Sequence, residues 1–194
     1  MGMFEDEILA FERQDRECPA PRGAIVFAGS SSIRGWDLPK HFPGLDVVNR
    51  GFGGSQIAES THYADRILLP LEPRLVVFYA GDNDIACGKT PAEVFGDFVA
   101  FVDKIRAALA ETRIVFLSIK PSLSRWEMVE RMRDANRRIE AFCRSSTGLS
   151  YVDTDAPMLG ADGRPRPELF VEDGLHLSEA GYALWTSLVL PHLT

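Results

Sequence analysis

The chain has 194 residues, 45% hydrophobic and 25% charged, which fills one core well and is short for two, so a single domain spanning 1–194 is expected. Its formal net charge of -7, with no Lys/Arg block to offset it, opposes nucleic acid and anionic membrane surfaces and points to a small substrate. Three cysteines, Cys18, Cys87 and Cys143, are odd in number, far apart and without C-x-x-C spacing, so neither a disulfide framework nor a zinc site is indicated.

Residues 1–22 read as an N-terminal helix with a Pro-containing lead-in: Phe4, Ile8, Leu9 and Phe11 recur at helical spacing, and CPAPRG ends the helix. This stretch is acidic and lacks the basic start and apolar run of a secretion signal, and no apolar run reaches membrane-spanning length. A soluble, cytoplasmic protein is the expectation. The first strand is AIVFAGS, and further short apolar runs follow at 46–51, 74–81, 113–119 and 149–155. They are β-branched and nearly continuous, as strands buried on both faces should be.

Helical patterns lie between them. Thr90, Pro91 and Glu93 form a capping box, and Ser124 with Glu127 suggests another ahead of 125–143, where Met128, Met132, Ala135, Ile139 and Phe142 share a face. A last helix is expected from Ser178 to about Leu190. Strands alternating with helices imply a parallel sheet covered on both faces, with ligands at the carboxyl ends of its strands. The one long connection, 157–173, is of the kind that is often functional or mobile; its Arg164 and Arg166 read as solvated.

Four polar clusters then come into register. The first three strands end in Gly29-Ser30-Ser31-Ser32, Asn49-Arg50-Gly51-Phe52-Gly53-Gly54 and Gly81-Asp82-Asn83-Asp84, and Asp173-Gly174-Leu175-His176 precedes the last helix. A serine becomes a nucleophile when a base takes its proton, and a carboxylate fixes the tautomer of that base. Asp173 and His176, three apart, can face the same way. Acyl transfer also needs donors for the oxyanion, for which the Gly54 amide and the Asn83 side chain are candidates.

GSSSIRGW, NRGFGGS, GDND and DGLH, in this order and spacing, resemble the successive blocks of the SGNH (GDSL) hydrolases, especially the branch similar to the catalytic subunits of intracellular platelet-activating-factor acetylhydrolase. The likeness runs from about Pro19 to Pro191. It implies a three-layer α/β/α sandwich with a flavodoxin-like five-stranded parallel sheet in the order 2-1-3-4-5. It also implies a nucleophile at Ser31, oxyanion donors at the Ser31 N–H, Gly54 and Asn83, and an Asp-x-x-His pair at Asp173 and His176. Ser30 departs from the pattern, standing where the family name has aspartate; it and Ser32 read as turn and cap residues.

Competing readings are weaker. Asn83 and its aspartates fit a plain turn, as do the glycines at 51, 53 and 54, where Gln56 breaks a dinucleotide fingerprint. Ala86 spoils an EF-hand, Asn83 occupies the place of the first P-loop glycine before Gly88-Lys89-Thr90, and Ile33 breaks G-x-S-x-G. His41, His62 and His192 have no partner at telling spacing, and Trp36, Trp126 and Trp185 read as core. The expectation is a serine hydrolase of small-molecule carboxylic esters, with short acyl chains, an acyl-enzyme on Ser31 and no metal or cofactor. A non-catalytic binding module on the same fold is the alternative. No nucleic-acid or membrane partner is expected, and a homodimer is left open.

Overall fold

A computed structural model describes residues 3–193. Its strands are β1 (Ile25–Gly29), β2 (Val47–Gly51), β3 (Leu75–Tyr79), β4 (Arg113–Leu117) and β5 (Leu149–Val152). All pair in parallel, in the order β2-β1-β3-β4-β5. The helices are α1 (Glu5–Glu17), α2 (Ser31–Arg34), α3 (Leu38–His41), α4 (Ile57–Ile67), α5 (Asp82–Ala86), α6 (Pro91–Ala108), α7 (Val129–Arg144) and α8 (Glu179–Val189).

The apolar runs become strands because both faces of the sheet are covered. Successive side chains point to opposite faces. Val26, Ala28, Val76, Phe78, Ile114 and Phe116 enter one core with residues of α1, α4, α6 and α7. Ile25, Phe27, Leu75, Val77, Tyr79, Val115 and Leu117 enter the other, with Trp36, Leu38 and the Trp185 side of α8. The central strands β1 and β3 are buried at every position, whereas the edge strands β2 and β5 are only partly so. Among the described residues, no helix is long and apolar enough to cross a membrane.

The Thr90 box forms as expected: the Thr90 hydroxyl accepts the Glu93 N–H at 3.3 Å, and the Glu93 carboxylate accepts the Thr90 N–H at 2.7 Å. The Ser124 box does not form. The Ser124 N–H donates instead to the Gly174 carbonyl at 3.1 Å, a 3-10 turn covers Trp126–Met128, and α7 starts only at Val129. A long-range bond to the Asp173–His176 turn has overridden a local signal. The 157–173 connection folds on itself through 3-10 turns at Ala156–Met158 and Pro167–Leu169 and a bridge between Leu159 and Pro165.

The end of β1 requires glycine. Gly29 has φ +131°, and a Cβ there would lie 1.9 Å from the Tyr79 carbonyl oxygen, which also accepts the Ser30 N–H at 3.0 Å. The chain therefore turns sharply off the sheet, and Ser31 opens α2 at its carboxyl edge.

Candidate active site

Ser31, from the end of β1, meets the turn before α8. His176 Nε2 is 3.0 Å from Ser31 Oγ, and His176 Nδ1 is 2.5 Å from Asp173 Oδ2. The other Asp173 oxygen accepts the backbone N–H groups of Leu175 and His176 at 2.8 and 2.9 Å. The hydrogen bond with His176, followed by these two amides, lowers the Asp173 carboxyl to a pKa of about 2. Asp173 is thus held ionised and oriented from both sides. The pair is wet: the His176 and Asp173 side chains are 41% and 47% exposed.

Three predicted donors stand on the same edge. The Ser31 and Gly54 N–H groups have no hydrogen-bond acceptor among the described residues. Gly54 has φ +75° with open space where a Cβ would sit, so the backbone there is unobstructed. Asn83, in α5 after β3, donates from Nδ2 to the Ser55 carbonyl at 3.0 Å; a second hydrogen on that nitrogen remains. Ser55 ties the strand ends together, its hydroxyl lying 3.0 Å from the Phe52 carbonyl oxygen and 3.4 Å from that of Gly29.

Ser30 is the residue before α2, but its hydroxyl caps nothing: Oγ is buried and has no partner among the described residues, because the turn aims it into the interior. The cap expected of it is therefore absent. Ser32 is buried, and its carbonyl accepts the Tyr182 hydroxyl at 3.0 Å. Lys89 of the P-loop-like stretch pairs with Asp84 at 2.9 Å and Asp97 at 2.6 Å, a structural use of the motif.

A buried charged group behind Asn83 escaped the sequence reading. Asp82 lies 3.3 Å from Lys120 Nζ and 3.1 Å from Arg125 Nη1. Burial opposes its ionisation, but the two cations outweigh it and hold the carboxyl below the usual range. Burial lowers the Lys120 ammonium as well. Trp126 is half-buried rather than core, with the Arg164 and Arg133 guanidiniums 5.3 and 5.6 Å from its ring centre. Arg166 is not simply solvated, since it donates to the Pro157 carbonyl at 3.0 Å.

A parallel α/β/α sheet carrying a Ser-His-Asp hydrogen-bonded set on its carboxyl edge defines a hydrolase architecture. Residues 22–184 match the GDSL-like lipase/acylhydrolase family, and the chain belongs to it as a carboxylic ester hydrolase. The fold is similar to that of a Streptococcus pneumonia protein provisionally described as a platelet activating factor (TM-score 0.88, 22% identity, 98% of this chain and 92% of that one). It is also similar to a GDSL-like lipase from Bacteroides thetaiotaomicron (0.81, 22%, 96% and 98%). A variant of an acetyl-xylooligosaccharide esterase from Geobacillus Stearmophilus is a more distant likeness (0.71, 16%, 90% and 95%). No curated protein matches the sequence.

Proposed function

We propose that this ester hydrolase is a serine esterase that cleaves short-chain carboxylic esters through an acyl-enzyme on Ser31. The observation that carries the reading is the continuous path from Asp173 through His176 to Ser31 Oγ. Ser31 attacks the ester carbonyl as its proton passes to Nε2, while Asp173 keeps the Nδ1 proton in place and stabilises the imidazolium. The oxyanion is received by the Ser31 N–H, the Gly54 N–H and the remaining Asn83 Nδ2 hydrogen. His176 returns its proton to the departing alkoxide, takes one from water as that water attacks the acyl-enzyme, and gives it to Ser31 Oγ as the Ser31–acyl bond breaks and the acid leaves. No step calls on a metal or cofactor.

The short-chain preference is supported by the openness of the His176–Asp173 pair. A groove of about 670 Å³ runs between α1 and the edge strand β2, but none of Ser31, Asn83, Asp173 and His176 lines it. A long acyl chain would therefore lie largely in water and gain little from apolar burial. A panel of nitrophenyl esters from acetyl to palmitoyl tests this. The expected result is highest kcat/KM for acetyl or butyryl, with no turnover by Ser31→Ala. A preference for palmitoyl that rises at an oil–water interface would overturn the chain-length reading.

A further inference from the structure

Arg125 takes no part in the steps above, yet its guanidinium is applied to the Asn83 side chain. Nη1 and Nη2 each donate to Asn83 Oδ1 at 3.1 Å. A guanidinium has donors only, so the amide oxygen must face it and the NH2 must face away. There one hydrogen meets the Ser55 carbonyl at 3.0 Å and the other is left for a substrate oxygen. If the amide turned over, its NH2 would confront two N–H donors and its oxygen would confront a carbonyl, losing all three bonds.

We propose that Arg125 is a positioning residue for the oxyanion hole, fixing which end of the Asn83 amide meets the substrate and polarising that amide toward donation. This rests on Asn83 being an oxyanion donor. The cation is not consumed by its other contact, since Lys120 shares the Asp82 carboxylate with it. Arg125 can therefore be removed without stranding a buried anion, and the fold should tolerate its loss. The sequence carries no sign of the arrangement, because Arg125 lies 42 residues beyond Asn83.

The test is a double-mutant cycle on kcat and KM with Arg125→Ala, Asn83→Ala and the pair, together with Arg125→Lys and thermal melts. A donor of this kind is worth about 10²–10³ in kcat, so a residue acting through it should be worth about 10–100-fold, with KM changed less than about twofold. Lysine, offering a single ammonium nitrogen in place of a planar fork, should restore part of the loss. In the Asn83→Ala background, removing Arg125 should lower kcat by less than about twofold, because nothing remains to be positioned. Losses that multiply in the pair, or an Arg125→Ala enzyme with wild-type kcat beside a crippled Asn83→Ala, would overturn the proposal alone. An Asn83→Ala enzyme with wild-type kcat would overturn the oxyanion reading, and this proposal with it.

Discussion

Asp173→Asn separates the charge of the carboxylate from its shape. Oδ1 already accepts two backbone amides, at 2.8 and 2.9 Å, so the oxygen of the new amide is confined there. Its NH2 then takes the place of Oδ2, facing His176 Nδ1 at 2.5 Å. A donor opposite Nδ1 selects the tautomer protonated on Nε2, and that nitrogen, 3.0 Å from Ser31 Oγ, can no longer accept the serine proton. Turning the amide over would restore the tautomer at the expense of both backbone bonds, each worth about 1 kcal/mol. In a buried triad the same change removes about 10⁴ from kcat. Here the Asp173 side chain is 47% exposed, and water screens part of the lost charge. A fall of about 10²–10³, or about 2.7–4.1 kcal/mol, is therefore expected. Steady-state kinetics on an acetyl ester, with circular dichroism to confirm folding, provides the assay. A folded variant within about fivefold of wild-type kcat would refute the orienting role of Asp173.

Two further outcomes are expected. Because the Asp173 carboxyl is lowered from 3.8 to about 2, its contribution to stability is complete above 3.8 and is lost as pH falls toward 2. The kcat/KM profile should thus show no limb from Asp173 above pH 3.8, and two separate acid limbs in that range would contradict this assignment. Glu7→Ala should lower kcat severalfold, because the Glu7 carboxylate accepts the Gly53 N–H at 3.0 Å and pairs with Arg34 at 2.9 Å, bracing the loop that carries Gly54. Both partners of that pair are more than a third exposed, so the melting temperature should barely move; a large drop in melting temperature with unchanged kcat would make Glu7 an anchor of α1 only.

The sheet was legible because continuous burial forces a continuous apolar run, as in β3, Leu75–Tyr79, where no position reaches solvent. Ser31, Gly54 and Asn83 stood out in the sequence as polar blocks after the first three strands, and Asp173 and His176 as a block ahead of the last helix; the structure brings Ser31, His176 and Asp173 into hydrogen-bond contact. What stayed hidden depends on contacts across the chain. The Ser124–Glu127 spacing matches that of Thr90–Glu93, though no proline follows Ser124 as Pro91 follows Thr90, and the bond from the Ser124 N–H to the Gly174 carbonyl is a contact that spacing does not show. Asp82 was readable as a turn residue until Lys120 and Arg125, 38 and 43 positions away, arrived to neutralise it. Ser30 looked like a cap because serine usually caps; the tight exit from Gly29 aims its hydroxyl inward instead.

The nucleophile itself is the point on which everything else depends, and a fluorophosphonate reads it out directly. The activated hydroxyl displaces fluoride and keeps the phosphoryl group, and fragmentation of the tryptic peptide 23–34 resolves Ser30, Ser31 and Ser32. The account predicts one adduct per chain, on Ser31, that is absent from Ser31→Ala and forms far more slowly in His176→Ala. An adduct on Ser30 or Ser32, or an active enzyme that takes up no label, would contradict it.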